Sequence, residues 1–403
     1  MGQSIFILIF AVAMKKICFL TDSVFTIGGV QRVTAVIAKE LAKDHAVTIV
    51  TLDNRDGYNP ALYGLGSTDI TFRFFSYPTL PRWKQKLYKV YSGLYRNCRL
   101  QTKLASDLYA HSSFPADLRK ALLKELKAGD YDVIIGVHAP LAVRLATLRK
   151  DLPRTRFIGW IHNSFEALFS DTSLYIGADR KRHYVYQFRK LDDVVVLCQH
   201  DAETYRHYDR RFLPTVIYNP LTLAPGRPSA GHSERFLAVG RFSRRHKGFD
   251  LLIEAFHLFA EKNKTWKLDL VGEGEEEEMY RTLIRKYHLE DRVTIHPFTN
   301  DIQAYYSAAQ IYVLSSRWEG FGLVLVEAMA HGLPVVSSDL PTSLEIMGSF
   351  GLYFKNGDIG QLAGQLYAAT QLDWQQKSKE ALGIARHFDV ETIRQQWKQL
   401  IEK

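Results

Sequence analysis

The amino-acid sequence predicts an α/β protein made of two doubly wound, parallel-sheet domains that face a central cleft. The chain has 403 residues, a length that favours two domains over a single core. Short runs rich in Val, Ile and Leu alternate with longer segments of helical periodicity, which is typical of a parallel sheet covered on both faces. A segment rich in Pro and Gly, residues 218–232, interrupts this alternation and indicates a linker.

The first domain is predicted over residues 14–217. Its strands are expected at residues 17–21, 46–52, 133–137, 157–161 and 194–198, and its first helix at residues 30–43. Residues 1–13 are interpreted as an upstream extension, because the apolar run there is too short to span a bilayer and follows no basic segment. Met14, which precedes two lysines, is then the expected initiator.

The alternation restarts after the linker and predicts a second domain over residues 233–385. Its strands are expected at residues 236–239, 268–271, 293–296, 311–314 and 335–337, and its helices at 249–262, 279–288 and 323–331. Residues 386–403 are expected to form a C-terminal helix that packs back on the first domain. Ligands of open α/β sheets bind at the carboxyl ends of the strands, so both sheets would present their binding edges to one cleft.

Charge and cysteine content narrow the class of protein. The formal net charge of +9 admits an anionic membrane, a phosphorylated substrate or a nucleic acid as partner. Cys18, Cys98 and Cys198 have no paired spacing, which indicates a reducing compartment and neither a disulfide framework nor a structural zinc site. No Asp-x-Asp ends a predicted strand and no His/Cys ligand spacing occurs, so the sequence predicts no metal site.

A basic amphipathic segment lies at residues 82–103. It contains seven Lys and Arg residues and no acid, and Trp83, Leu87, Tyr91 and Leu94 fall at helical spacing. A helix of this kind can lie on an anionic membrane surface. An ordinary surface helix with a solvated basic face is the alternative.

The strongest signal for chemistry follows the predicted strand at 311–314. A turn containing Gly320 and Gly322 opens a helix, and glycines at such a place let backbone N–H groups approach an anion closely. Glu319 precedes this helix and Glu327 lies more than one turn inside it. A glutamate within an apolar helical run is costly to bury without a partner, and ribose hydroxyls are suitable partners.

These residues resemble the signature of retaining glycosyltransferase family 4, the glycosyl transferases of group 1. The family has the GT-B fold, in which two Rossmann-like domains face a central cleft. By this resemblance Glu319 contacts sugar hydroxyls and Glu327 holds the ribose of a nucleotide sugar. The resemblance also implies donor contacts from the backbone of the turn, at Gly320, Phe321, Gly322 and Leu323.

A basic loop after the predicted strand at 236–239 resembles the family's diphosphate-binding segment. It begins at Gly240, which the resemblance also places at the donor, and contains Arg241 and Lys247. A departing nucleoside diphosphate accumulates negative charge, and fixed cations stabilise the transition state in which that happens. Arg241 and Lys247 are therefore the expected cations, whereas Arg244 and Arg245 suit a basic surface loop.

Two further glycine turns match the family in their order along the chain. Gly272 and Gly274 follow the predicted strand at 268–271, and turns of this kind lie near the nucleotide in the family. Gly28 and Gly29 follow the first strand and resemble the glycine-rich loop that approaches the donor phosphate and the acceptor. They are not a dinucleotide fingerprint, because the third glycine is absent.

Two histidines compete for one role at the cleft edge of the first domain. His138 and His162 each follow a predicted strand, and the surroundings of His162 resemble the family's active-site histidine more closely. His162 is therefore expected to position the donor sugar during transfer, and His138 to be a structural, hydrogen-bonded cleft residue. Asn219 could face the donor or cap a turn.

The resemblance implies a retaining, metal-independent hexosyltransferase without a resident cofactor. Its donor would be a nucleotide sugar, with uridine diphosphate as the expected carrier, and its acceptor a saccharide, expected to be lipid-linked. Such an enzyme would act in capsule, exopolysaccharide or lipopolysaccharide synthesis, in the cytoplasm on the inner face of the membrane. Nucleic acid is not an expected partner.

Two alternatives remain open from the sequence. A glycoside hydrolase would use Glu319 and Glu327 as its carboxylate pair, but it leaves Arg241 and Lys247 without a role. A non-catalytic partner subunit of a glycosyltransferase complex would keep the fold and bind nucleotide or membrane only. The complete set of these four residues argues against a degenerate copy.

Overall fold

The structure is a computed structural model that describes residues 14–97, 102–171, 173, 175–223 and 226–403. Within these ranges the chain forms two α/β domains, each built around one parallel sheet. Cys18 and Cys198 are buried free thiols. The expected upstream extension at 1–13 and Cys98 lie outside the described residues.

The first domain contains a seven-stranded parallel sheet. Its strands are β1 (Lys16–Thr21), β2 (Ala46–Thr51), β3 (Thr71–Phe74), β4 (Val133–Val137), β5 (Arg156–Trp160), β6 (Asp193–Val196) and β7 (Thr215–Val216). Its helices are α1 (Gly29–Leu41), α2 (Arg82–Asn97), α3 (Lys103–Ser113), α4 (Ala116–Gly129), α5 (Ala139–Ala146), α6 (Phe165–Phe169), α7 (Lys181–Phe188) and α8 (Gln199–Tyr208). The strand order β3-β2-β1-β4-β5-β6-β7 reverses between β1 and β4, where a doubly wound sheet binds its ligands.

The second domain repeats this design with six parallel strands. They are β8 (Arg235–Val239), β9 (Lys267–Val271), β10 (Val293–His296), β11 (Ile311–Leu314), β12 (Val335–Ser338) and β13 (Leu352–Phe354). The helices are α9 (Arg244–Lys247), α10 (Phe249–Lys262), α11 (Glu277–Lys286), α12 (Ile302–Ala308), α13 (Leu323–Ala330), α14 (Pro341–Met347), α15 (Ile359–Ala369), α16 (Trp374–Ala385) and the final α17 (Val390–Glu402). The order β10-β9-β8-β11-β12-β13 reverses between β8 and β11.

The central strands form where the sequence is continuously apolar. All five residues of β4 are buried, as parallel strands covered on both faces require. Gly136 in β4 lets α5 pack directly on the sheet, because a Cβ there would lie 2.8 Å from Leu145 Cδ1 and 3.2 Å from the amide nitrogen of Ala142. Strand and helix are thereby held close at the edge of the first-domain site.

Three edge strands do not appear among the sequence expectations. β3, β7 and β13 have four, two and three residues, and most of these residues are only half-buried. Edge strands of this length have no continuous apolar run, because one side of each strand lacks a neighbour. The central strands agree with the expected positions, with small differences at their ends.

The last helix, α17, leaves the second domain and packs on the first. Trp397 is fully buried, and its ring lies 4.7 Å from that of Trp160 at the end of β5. Lys15 Nζ donates to the carbonyl oxygen of Ile401 at 2.6 Å, and Lys398 pairs with Asp44 at 2.8 Å. The chain therefore crosses between the domains twice.

Helix α2 covers residues 82–97 of the predicted basic amphipathic segment, with one difference from the expected pattern, and residues 98–101 of that segment lie outside the described residues. Trp83, Leu87 and Leu94 are more than half exposed, but Tyr91 is half-buried and its hydroxyl donates to the carbonyl oxygen of Ala105 at 3.2 Å. Val90 takes the place of Tyr91 in the exposed row, at 61% exposure. In the described part of the chain no helix has the length and apolarity needed to span a bilayer.

Candidate active site

The loops at the carboxyl ends of both sheets meet at the predicted site. A Cβ at Gly29, after β1, would lie 3.3 Å from Leu323 Cδ1, at the start of α13 in the second domain. A Cβ at Gly320 would overlap the carbonyl oxygen of His162, after β5. The two glycines therefore permit the close contact that brings the first-domain loops against the turn between β11 and α13.

Glu319 directly precedes Gly320 at this junction and is 8% exposed. Its Oε1 accepts hydrogen bonds from Lys247 Nζ and Ser316 Oγ, each at 2.6 Å, and its Oε2 lies 3.7 Å from His246 Nε2. Burial alone would raise the pKa of Glu319, but the charge of Lys247 and the contact with His246 outweigh it. The pKa of Glu319 is consequently far below its usual range, and the carboxylate is ionised.

Glu327 is buried inside α13, as the sequence predicts, but protein groups satisfy its carboxylate. Arg32, in the first turns of α1, contacts Oε1 across the domain junction. Tyr306 donates to Oε2 at 3.0 Å, and burial raises the pKa of the Tyr306 hydroxyl. Arg32 and Tyr306 were not among the expected site residues. Arg32 could have been predicted from the sequence, because it comes just after Gly28-Gly29. Tyr306 could not, because its sequence surroundings are those of any buried helix residue.

Arg241 and Lys247 differ in their surroundings. Lys247 ends the short helix α9 and is bound to Glu319, whereas Arg241 is exposed. Among the residues that the structure describes, none forms an ion pair or hydrogen bond with Arg241. The backbone next to Lys247 is fixed, because Gly248 is in the left-handed region at φ 62° and Ser315 Oγ donates to the Lys247 carbonyl oxygen at 3.0 Å.

The glycines of the second domain have a packing role at this edge. A Cβ at Gly272 would overlap the carbonyl oxygen of Gly240, and one at Gly274 would lie 2.5 Å from that of Phe242. A Cβ at Gly240 would lie 2.9 Å from Lys247 Cε. The two loops after β8 and β9 can therefore pack tightly, which holds the backbone around Arg241.

His162 lies on the first-domain side and is 6% exposed. Its ring is 4.3 Å from the ring of Trp160 and 5.4 Å from that of His138. Neither ring nitrogen of His162 has a hydrogen-bond partner within the described ranges. Burial lowers the pKa of His162 well below its usual value, so the imidazole is neutral at physiological pH. His138 lies beside it with a backbone φ of 77°, which is positive and therefore uncommon for a residue other than glycine.

Aromatic residues that the sequence did not single out complete the junction. The rings of Trp318 and His246 stack with their centroids 3.8 Å apart, and the ring of Tyr175 from the first domain meets that of Trp318 edge-on at a centroid distance of 5.6 Å. Phe321 is buried against Tyr218, with ring centroids 6.1 Å apart. The Phe321 side chain therefore belongs to the core, which leaves its backbone for the ligand contact that the resemblance implies.

Comparison with known families covers most of the chain. Residues 27–224 match the family described as Glycosyltransferase Family 4, and residues 225–382 match Glycosyl transferases group 1. The boundary between the two matches falls within the Pro/Gly-rich linker.

Individual relatives match over nearly their full length. An uncharacterized glycosyltransferase of Haemophilus influenzae is 27% identical over 96% of this chain and 100% of its own. The amylovoran biosynthesis glycosyltransferase AmsD of Erwinia amylovora is 25% identical, over 89% of this chain and 92% of its own.

A solved structure shows the same fold. The structure of Anabaena Alr3699/HepE in complex with UDP and glucose superposes with a TM-score of 0.72 at 22% identity, covering 96% of this chain and 99% of that one. Together with the two family matches, this agreement confirms the expected architecture. The chain therefore belongs to glycosyltransferase family 4, the glycosyl transferases of group 1, and has the GT-B fold.

Proposed function

We propose that the protein transfers a hexose from a nucleotide sugar to a saccharide acceptor with retention of anomeric configuration. The observation that carries this proposal is the ion pair of the buried Glu319 with Lys247, together with the exposed Arg241 in the same loop region after β8, at the place where the two domains meet. Lys247 orients the Glu319 carboxylate towards sugar hydroxyls, and Arg241 supplies a positive charge for the diphosphate. Glu327 and Arg32 together form the proposed ribose end of the site.

The transfer proceeds by attack of the acceptor hydroxyl on the face that the leaving group occupies. The bond from the anomeric carbon to the phosphate oxygen breaks first, which produces a short-lived oxocarbenium ion paired with the nucleoside diphosphate. The phosphate then accepts the proton of the attacking hydroxyl as the new glycosidic bond forms. Arg241 and Lys247 stabilise the charge that accumulates on the leaving group. The neutral His162 positions the sugar and forms no covalent intermediate.

The state of the two glutamates disfavours a glycoside hydrolase. A hydrolase of the usual kind needs a carboxylic acid with a raised pKa as its proton donor. The pKa of Glu319 is instead lowered, and Glu327 contacts an arginine. A transferase that uses the two carboxylates as hydrogen-bond acceptors fits this arrangement.

The names of similar proteins support the choice of donor and acceptor. HepE was solved with UDP and glucose, and AmsD is named for the biosynthesis of amylovoran. We therefore propose a uridine-diphosphate sugar as donor and a growing cell-surface polysaccharide, carried on a lipid, as acceptor. The proposed mechanism needs no resident metal ion. Groups of three or more potential metal ligands are absent from the part of the chain that the structure describes.

A lipid-linked acceptor would require contact with a membrane, and α2 is the proposed contact surface. Trp83, Leu87, Val90 and Leu94 form one helical row, and each side chain is between 51% and 65% exposed. Exposed lysines, including Lys86 and Lys89, lie beside this row. An apolar row flanked by cations is suited to the surface of an anionic bilayer on the cytoplasmic side.

The donor site is tested by thermal denaturation with a panel of uridine-, guanosine- and adenosine-diphosphate sugars, with and without EDTA. A ligand at 100 times its dissociation constant stabilises the folded state by about 2.7 kcal/mol. We expect a selective shift that EDTA leaves unchanged and that Glu327→Gln abolishes. Product formation is measured with the nucleotide sugar that gives the shift. Binding without turnover would favour the partner-subunit alternative, and no shift with any nucleotide sugar would reject the transferase.

Membrane contact is tested by sedimentation with vesicles that contain an anionic phospholipid. We expect the double substitution Lys86→Glu and Lys89→Glu to abolish binding. The same charge change in the second domain, Lys262→Glu and Lys379→Glu, provides the matched control, because both residues are exposed and far along the chain from α2. If both double substitutions weaken vesicle binding equally, binding depends on the overall charge of the protein, and α2 is rejected as the contact surface.

A further inference from the structure

A cavity in the first domain is separate from the candidate active site. Its volume is about 380 Å³, within the usual range for small-molecule sites. Its walls come from α2 and α3 on one side and from α7, α8 and the segment after α8 on the other. The lining residues include none of those assigned to the donor site.

The cavity has a strong excess of positive charge. Lys103, Arg189 and Arg211 line it, and Asp209 supplies the one carboxylate among its described lining residues. Asp209 accepts from Arg189 at 3.0 Å and from Arg211 at 3.3 Å, so one negative charge is shared by two guanidinium groups. This ratio leaves a positive field in the cavity that a second anion would compensate.

Hydroxyl groups and aromatic rings lie beside these cations. Tyr95, Tyr186 and Tyr208 contribute to the walls, as does Thr102. Tyr95 is held in place because its ring stacks on that of Tyr109, at a centroid distance of 4.3 Å. Thr102 Oγ1 caps the N-terminus of α3, so the positive end of that helix also faces the cavity wall. Guanidinium forks and hydroxyl donors are the groups that proteins use to bind phosphate oxygens.

We propose that this cavity binds a phosphate group carried by a membrane lipid. The position of the cavity supports a lipid as the source of the phosphate. Lys103 and Thr102 stand at the start of α3, next to Leu104, which is 71% exposed, and Tyr95 is adjacent to the exposed Leu94 of α2. Helices α2 and α3 therefore carry both the exposed apolar side chains and one wall of the cavity, so that a lipid whose chains meet the row could place its phosphate in the cavity. Only this choice of lipid over soluble phosphate rests on the proposed membrane contact.

The proposal is tested by calorimetric titration of the full chain with a soluble short-chain lipid, dihexanoyl phosphatidic acid. Dihexanoyl phosphatidylcholine and inorganic phosphate are titrated in parallel. We expect phosphatidic acid to bind more tightly than either. Lys103→Gln and Arg211→Gln should each weaken that binding about tenfold, the loss expected when one charge-assisted hydrogen bond is removed.

Matched controls carry the same charge change outside the cavity. Arg210→Gln is the neighbour of Arg211, and Lys86→Gln lies on α2, and neither residue lines the cavity. We expect both to bind phosphatidic acid as the unmodified chain does. Equal losses of affinity in cavity and control variants would overturn the proposal, because binding would then depend on the overall positive charge of the surface. Inorganic phosphate that binds as tightly as the lipid would overturn the lipid assignment.

The test is independent of the proposed donor site and of vesicle binding. The cavity variants should keep the thermal shift with the nucleotide sugar, which also shows that they are folded. Leu87→Glu should reduce sedimentation with vesicles but leave the titration with soluble phosphatidic acid unchanged. If the unmodified chain binds no nucleotide sugar, only the proposed transferase activity is rejected. If it binds no phosphatidic acid, only the proposed role of the cavity is rejected.

Discussion

At the scale of single residues, the two cations of the proposed donor site differ in what they contribute to the fold. Lys247 neutralises the buried Glu319, whereas Arg241 is exposed and makes no ion pair within the described residues. Removing one partner of a buried pair leaves an uncompensated charge, which costs about 3–5 kcal/mol. An exposed side chain without such a partner contributes little to stability.

We therefore expect Arg241→Met and Lys247→Met to differ in stability and to agree in activity. Each should lower kcat by about 10²–10³, as for other groups that stabilise transition-state charge. Only Lys247→Met should also lower the free energy of unfolding, measured by urea denaturation. If Arg241→Met is destabilising to the same extent, the distinction drawn from the structure is wrong.

The glycine at the junction permits a second residue-scale prediction. Gly320→Ala places a methyl group against the carbonyl oxygen of His162, which requires the two domains to separate locally. We expect a large loss of turnover although no chemical group of the site is removed. Gly383→Ala in α16 is the control, because its Cβ would meet no atom within 4 Å and alanine favours a helix. Activity retained in Gly320→Ala would show that the close contact is dispensable.

At the scale of elements, the start of α8 contains a buried acid. Asp201 is 2% exposed and accepts a hydrogen bond from the backbone N–H of Phe165 at 2.9 Å. Burial raises the pKa of Asp201 from 3.8 to about 7. The folded chain therefore retains a proton that the unfolded chain releases, and this contribution to stability is lost as the pH rises through the folded-state pKa.

The expected consequence is a pH dependence that one substitution removes. The free energy of unfolding should contain a component that decreases as the pH rises from 3.8 through 7. Asp201→Asn keeps an oxygen that accepts from Phe165 and cannot ionise, so this component should disappear. Urea denaturation at several pH values compares the two chains. Parallel pH profiles would show that Asp201 does not retain its proton in the folded state.

At the scale of the whole molecule, one ion pair joins the domains at the proposed ribose site. Arg32 comes from the first domain and Glu327 from the second, and Glu327 is also bound by Tyr306 of its own domain. A nucleotide that uses Glu327 must share or replace the contact with Arg32. The same pair therefore links donor binding to the relative position of the domains.

A double-mutant cycle measures this link. Arg32→Gln, Glu327→Gln and the combined variant should give non-additive losses in the free energy of unfolding, with a coupling energy of about 1–3 kcal/mol. A second cycle with Tyr306→Phe and Arg32→Gln gives a coupling energy for comparison, because Tyr306 and Arg32 contact different oxygens of Glu327. Additive losses in the first cycle would mean that the pair does not hold the domains.

Most residues of the candidate site could be predicted from the sequence, but the contacts between them could not. Glu319, Gly320 and His162 stand in short turns after apolar strands, so local pattern and family resemblance were enough to indicate them. Their partners are distant along the chain: 295 residues separate Arg32 from Glu327. Such contacts depend on tertiary packing. The exchange of Tyr91 for Val90 on the exposed face of α2 has the same cause, since packing on α3 decides which side chains are covered.

The return of α17 to the first domain has a consequence for biosynthesis. Trp160 at the end of β5 packs against Trp397, which is made more than two hundred residues later. Domains generally begin to fold in order as they leave the ribosome, but here the first domain lacks this contact until the second domain and α17 have been synthesised. During synthesis of the second domain, Trp160 of the first domain, next to His162, is not yet covered by Trp397. The candidate active site is therefore expected to be completed only after α17 has been synthesised.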